Sequence, residues 1–121
     1  MLNYWLPIIL YAGFIYYLSS LSNPIDQIIP NGVLIYFDFE HFIYHIIEFG
    51  ILSLLLYRAL KTMNENPQTL SILIAVSYSI TDEMHQYFVP GRVSSVFDVA
   101  IDVFGIIAMQ CIINIYNYIK N

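Results

Sequence analysis

Charged residues are scarce in this chain of 121 residues: they make up 11% of it, against 59% hydrophobic residues. A soluble domain of this size needs a polar surface, so the composition indicates a protein whose main solvent is lipid. Bases are especially few, with four Lys and Arg against nine Asp and Glu. No basic patch exists to meet a series of phosphates, which argues against nucleic acid as a partner. The single cysteine, Cys111, lies in an apolar run; it cannot form an internal disulfide and is expected to be buried.

Four apolar windows are each long enough to cross a bilayer, which takes roughly 20 residues of helix. They are residues 4–21, 41–60, 69–88 and 95–119. We therefore predict an all-α integral membrane bundle of four transmembrane helices, forming a single domain over residues 1–121. In the first connection, an apolar strip at residues 33–37 is too short to span and is expected to lie along the membrane interface. In the third connection, Pro90 is expected to end the preceding helix and Gly91 to permit the reversal of the chain.

The basic residues predict an orientation. Four crossings place both termini and the second connection on one side of the membrane and the other two connections opposite. Arg58, Lys61 and Lys120 fall on the first side, and Arg92 falls on the second. Because basic residues favour the cytoplasmic side, we expect a multi-pass protein of the cell membrane with both termini in the cytoplasm.

Ionisable and other polar residues gather where this topology brings three helix ends to the outer face. They are His41, His45 and Glu48 on the second helix, Asp82, Glu83 and Gln86 with Ser79 on the third, and Asp98 and Asp102 on the fourth. Spacings of three and four residues put Glu48, Glu83 and Asp102 at similar depth. Charges facing acyl chains are costly, so we expect these side chains to surround an outward-facing pocket between the three helices. Gly105 is expected to allow close helix contact.

Several chemistries fit such a pocket, because its five carboxylates meet only one arginine and three histidines. In a low-dielectric site some acids must be protonated or compensated by a cation. A divalent metal is one interpretation, with His45, Glu48, Glu83 and Asp98 as candidate ligands. In another, Arg92 holds a phosphate or carboxylate head group while an acid or histidine moves a proton. The alternative to both is a structural network of hydrogen bonds between helices.

Residues 82–92 read DEMHQYFVPGR and are followed by Asp98. This segment resembles the D-E-x-x-Q-x-F-x-P-G-R signature of the VanZ-like family, and residues 45–50 (HIIEFG) are similar to the family's H-x-x-E region. The signature positions carried over are His45, Glu48, Asp82, Glu83, Gln86, Pro90, Gly91, Arg92 and Asp98. Two positions depart from the family pattern, since Phe42 stands for a common Lys and Asp102 for a common Asn. Both changes make the pocket more negative.

The resemblance implies a cell-membrane protein of about four helices, from a family named for a protein giving low-level resistance to the glycopeptide teicoplanin. Our hypothesis is an outward-facing pocket that binds or modifies an amphiphilic envelope molecule. Its candidate catalytic residues are Glu83, Asp98, His45 and Glu48, and its candidate binding residues are Arg92, Gln86, Asp82 and Asp102. The expected partners are the lipid bilayer and an anionic envelope lipid or a glycopeptide. The alternative is a structural or partner-assembly protein; catalysis, the ligand and the oligomeric state stay open.

Overall fold

The computed structural model describes residues 2–21, 39–92 and 94–121, and within them the chain forms four α-helices and no strand. The helices are α1 (Leu2–Ser19), α2 (Phe39–Leu60), α3 (Pro67–Tyr87) and α4 (Val96–Lys120). The predicted all-helical class is therefore confirmed. The apolar strip at residues 33–37 lies outside the described residues, so its place at the membrane interface stays a prediction.

Local sequence sets where α3 and α4 begin and how the chain turns between them. Pro67 occupies the first turn of α3, where a missing backbone N–H removes no helical hydrogen bond. Gly91 adopts a φ of 79°, a conformation that side-chain-bearing residues rarely take, and this permits the reversal predicted at that position. Ser95 then caps α4, its hydroxyl accepting a hydrogen bond from the Phe97 N–H at 3.1 Å.

The closest helix pair is α2 with α4, and Gly105 makes their approach possible. A Cβ atom placed on Gly105 would lie 2.4 Å from the Ile46 carbonyl oxygen and 2.8 Å from the Ile46 Cα. Gly50 faces the same seam, where its Cβ would meet the Gly105 carbonyl oxygen at 3.4 Å. The prediction that Gly105 serves close helix contact is confirmed, since only a residue without a side chain fits against that backbone.

The first helix lies to one side of this pair. It packs on α2 and α3, and within the described part of the chain its backbone does not come close to that of α4. Its Ile15 belongs to the apolar core, together with Phe49, Leu52 and Leu56 of α2 and Ile106 of α4. Because α1 covers only one flank of the bundle, a cleft between α1 and α2 can open beside the core.

The bundle buries many polar residues beside its apolar core and exposes large apolar side chains, unlike a typical soluble protein. Large apolar side chains are exposed on every helix, for example Leu10, Ile47, Leu73 and Ile112. The buried polar residues are Ser19, His45, Ser53, Ser71, Ser79, Asp82, Glu83, Gln86, Asp98, Asp102 and Gln110. Cys111 is exposed, so the expectation of its burial was wrong: its helix face is part of this apolar exterior.

Two of the four helices meet the length and hydropathy expected of a membrane span. They are α2 from His41 to Leu60 and α4 from Val96 to Lys120. The last turns of α3 instead carry ionisable residues, among them Asp82 and Glu83, which lower its hydropathy. Together with the apolar exterior, the two apolar helices indicate a membrane protein.

Candidate functional site

A buried carboxylate on α4 joins three helices. Asp102 is 1% exposed. Its Oδ1 lies 2.7 Å from His45 Nδ1 on α2, and its Oδ2 accepts a hydrogen bond from the Ser79 hydroxyl on α3 at 2.6 Å. When Asp102 is ionised its carboxylate can only accept, so Nδ1 is then the donor and the imidazole is held in one orientation. His45 Nε2, which makes no hydrogen bond to a described residue, remains able to gain or lose a proton.

A second polar chain runs from α1 to the loop after α3. The Ser19 hydroxyl donates to Asp82 Oδ1 at 2.5 Å, and Gln86 Nε2 donates to Asp82 Oδ2 at 2.9 Å. Gln86 Oε1 then accepts from Arg92 Nη2 at 2.9 Å. Arg92 forms no ion pair with an acid in the described parts of the chain, so it reaches Asp82 through Gln86. Both oxygens of Asp82 are therefore engaged.

Glu83 is directed away from these groups, towards the start of α4. Its Oε2 accepts from the Ser94 hydroxyl and from the Ser95 backbone N–H, both at 3.0 Å. Its Oε1 is buried and has no hydrogen-bond partner among the described residues. These contacts hold the end of α3 against Ser94 and Ser95, the residues directly before α4. This role of Glu83 is structural.

A cavity of about 410 Å³ opens between α1, α2 and α3. Its polar lining consists of Ser19, His41, His45, Glu48, Asp82, Gln86 and Arg92, and its apolar lining of Tyr11, Phe14, Ile15, Leu18, Tyr44 and Ile47. Several apolar members are also exposed on the outside of the bundle; Phe14 is 52% and Tyr44 67% exposed. The cavity thus has polar groups within it and apolar side chains where it meets the exterior.

Glu48 differs from the other buried acids because its carboxylate makes no hydrogen bond to any described residue. The group is half-buried and lines the cavity. Its backbone carbonyl accepts a hydrogen bond from the Tyr11 hydroxyl at 3.2 Å, which holds that aromatic ring nearby. A carboxylate in this position is free to bind a hydrogen-bond donor or a cation.

The predicted site residues therefore divide into groups. One cavity is lined by His45, Glu48, Asp82, Gln86 and Arg92. Asp102 lies outside its lining and forms a hydrogen bond with His45. Glu83 lies towards Ser94, and Asp98 pairs with His41 at 3.4 Å. We expected the pocket between α2, α3 and α4, whereas the cavity lies between α1, α2 and α3. The reason is that α2 and α4 approach too closely at Gly105 to leave space between them.

The sequence interpretation placed the pocket between the other three helices and so missed the contribution of α1. Ser19 reaches Asp82, and the Ser20 hydroxyl lies 2.9 Å from His85 Nε2. Tyr16 stacks on the His85 ring, with centroids 4.4 Å apart. The signal was present as two consecutive serines at the end of an apolar run, where a hydroxyl pair needs a polar partner.

The four candidate metal ligands do not come together at one site. The four candidate ligands separate, with His45 and Glu48 at the cavity, Glu83 facing Ser94 and Asp98 facing His41. Within residues 2–21, 39–92 and 94–121, no three His, Cys, Asp or Glu side chains are grouped so that they could hold a metal ion. Zinc sites in proteins use three or four such ligands.

The sequence profile of the family described as VanZ/LLP1 matches residues 5–117, nearly the whole chain. The chain belongs to the VanZ/LLP1 family. Comparison with curated proteins and with solved structures found no match. In this VanZ/LLP1 protein, the signature residues of α3 and the following loop split between two tasks: Asp82, Gln86 and Arg92 form the cavity wall, while Glu83 anchors the start of α4.

One departure from the VanZ-like pattern acquires a physical role here. Asp102 stands where an Asn is common, and it accepts hydrogen bonds at both side-chain oxygens, from His45 and from Ser79. An amide accepts at one atom and donates at the other, so an Asn would have to reverse the direction of one contact. Asp102 can instead accept from both partners at once.

Proposed function

We propose that this VanZ/LLP1 protein crosses the cell membrane four times, with both termini in the cytoplasm and the cavity near the outer face. The apolar exterior of all four helices supports the four crossings. The length of α1 supports the crossings too. Its 18 residues extend about 27 Å at the helical rise, which is close to the thickness of a bilayer core. A fluorescent protein that folds only in the cytoplasm, fused after Asn121, should fluoresce; a dark, fully expressed fusion would refute the orientation.

We further propose that the cavity binds an amphiphilic molecule of the cell envelope. The observation that carries this proposal is the distribution of its lining, with polar side chains inside and exposed apolar side chains at the mouth between α1 and α2. A head group entering there would meet His45, Glu48 and Arg92, while its tail would lie along Phe14 and Ile47 at the lipid boundary. Such sites combine a mostly apolar surface with a few polar groups that fix orientation.

The same geometry can support proton transfer to or from the bound head group. Asp102 orients His45 and leaves Nε2 available, which is the usual arrangement of a general acid or base. Binding alone is sufficient for a protective role against a glycopeptide if the bound molecule is part of the drug's target. In that case, cells expressing the protein should lose teicoplanin tolerance on substitution of cavity residues.

Native mass spectrometry of the purified protein, combined with metal analysis, tests the binding proposal. The wild type should retain a lipid-sized molecule. The double variant Phe14→Ala/Tyr44→Ala, which removes two rings from the mouth, should lose most of it. Phe104→Ala is the matched control, because Phe104 is a 64% exposed aromatic residue of α4 that does not line the cavity.

Retention of the molecule by the double variant, or its loss from the control, would count against the cavity as the binding site. A wild type that carries no lipid, even after incubation with envelope lipid extract, would refute the proposal. A bound metal without lipid would favour the metal interpretation instead.

One specific observation favours a structural role as a second candidate. The carboxylates of Asp82 and Asp102 each accept hydrogen bonds at both oxygens, several of them from other helices. Side-chain hydrogen bonds of this kind hold transmembrane helices together. A purely structural protein predicts that Asp82→Asn and Asp102→Asn lower its abundance in the membrane while no cavity variant changes any bound molecule.

A further inference from the structure

We propose that the head group selected by the cavity is zwitterionic, with an ammonium group bound by Glu48 and an anionic oxygen group bound by Arg92. The inference rests on the proposed binding of an amphiphile and names its chemical class. It departs from the purely anionic head group that the sequence suggested, because the structure shows which charges along the cavity are already engaged.

Glu48 is the group that needs a cation or a donor. Its carboxylate is half-buried, lines the cavity and has no hydrogen-bond partner among the described residues. A partly buried carboxylate without a donor is costly, and a ligand ammonium offers up to three N–H groups. Tyr11 is held beside it through its hydrogen bond to the Glu48 carbonyl, and its ring adds a face that attracts cations.

The other acid lining the cavity is not available in the same way. Both oxygens of Asp82 already accept hydrogen bonds, from Ser19 and from Gln86. Arg92 donates one N–H to Gln86. A guanidinium carries five N–H groups in a planar fork, so several remain for a phosphate or carboxylate.

The charge balance of the described lining disfavours a head group with negative charge alone. Two acids and one arginine line the cavity, together with two histidines. A purely anionic head would gain Arg92 but share a confined space with Glu48, whose carboxylate has no hydrogen-bond partner among the described residues, and like charges in a low dielectric repel strongly. A purely cationic head would leave Arg92 without an anion. A zwitterion satisfies both groups, and both line a single cavity of about 410 Å³.

Lysophospholipids with the same acyl chain test the inference. Lysophosphatidylethanolamine carries an ammonium and a phosphate, whereas lysophosphatidylglycerol carries the phosphate without the ammonium. Titrated below their micellar concentrations and followed by native mass spectrometry, the ethanolamine lipid should bind the wild type roughly tenfold more tightly, as expected for one charge-assisted contact. Glu48→Gln keeps the side-chain shape and removes the charge, so it should reduce this ratio to within about twofold. Glu65→Gln is the matched control, since Glu65 is exposed in the connection between α2 and α3.

The outcomes separate this inference from the binding proposal. Equal or tighter binding of the glycerol lipid to the wild type would overturn the zwitterion, while leaving amphiphile binding intact. An unchanged ratio in Glu48→Gln would overturn the role of Glu48. Failure of both lipids to bind would refute amphiphile binding itself. Phosphoethanolamine without an acyl chain distinguishes the source: binding as tight as that of the lipid would keep the head-group chemistry but point to a soluble ligand.

Discussion

Gly105→Ala should separate the two helices that form the centre of the bundle. The added Cβ would lie 2.4 Å from the Ile46 carbonyl oxygen, 2.8 Å from its Cα and 3.0 Å from its carbonyl carbon. Ordinary contacts of this kind are about 1 Å longer, and all three atoms belong to backbone, so no side-chain rotation can relieve the overlap. Overpacking costs up to about 3 kcal/mol, and Ala gains about 1 kcal/mol over Gly in a helix, which leaves a net loss of about 2 kcal/mol.

The free energy of unfolding can be measured by SDS titration in mixed micelles. Gly13→Ala is the matched control: Gly13 is also helical, but its Cβ would have no neighbour within 4 Å, so the variant should be as stable as the wild type or more stable. Gly50→Ala, with its nearest contact at 3.4 Å, should fall between the two. A Gly105→Ala protein as stable as Gly13→Ala would refute the close packing of α2 on α4.

Three further predictions concern hydrogen bonds. Gln110→Leu should lower the free energy of unfolding by about 1 kcal/mol in the same titration. The reason is that the buried Gln110 amide donates to the hydroxyls of Ser53 at 2.6 Å and Ser71 at 2.9 Å. Unchanged stability would contradict those bonds. Ser95→Ala should cost about 1 kcal/mol by removing the cap of α4, and an effect below about 0.3 kcal/mol would speak against it. Asp102→Asn should change the ¹⁵N chemical shifts of the His45 imidazole; identical shifts would show that Asp102 does not fix its tautomer.

Helix positions followed from the sequence because they depend on local chemistry. Each predicted window and the corresponding helix differ by at most two residues at either end. Long apolar runs, Pro67 at a helix start and Gly91 at a reversal act within a few residues of chain, so no knowledge of packing is needed. The number of membrane crossings does not follow from local chemistry in the same way, because the polar residues within α3 lower its hydropathy.

The hydrogen-bond partners of the polar side chains of α3 could not be predicted in the same way. Ser79, Glu83 and Gln86 share one helix face by spacing, yet their partners are Asp102, Ser94 and Arg92. Neighbouring positions on a helix differ by about 100°, so a small rotation decides which adjacent element each side chain meets. Spacing fixes a face, but the rotation and crossing angle of α3 depend on how it packs against α1, α2 and α4.

The structural and ligand-binding interpretations concern different acids, and this decides how each must be tested. Asp82 and Asp102 accept hydrogen bonds from other helices, and Glu83 holds the residues before α4, so substituting any of them perturbs packing whether or not a ligand exists. Loss of activity in those variants would therefore carry no information about chemistry. Glu48 lines the cavity without contributing a side-chain hydrogen bond to the described structure. A variant of Glu48 that keeps its stability but changes what the protein binds is consequently the result that a purely structural role cannot produce.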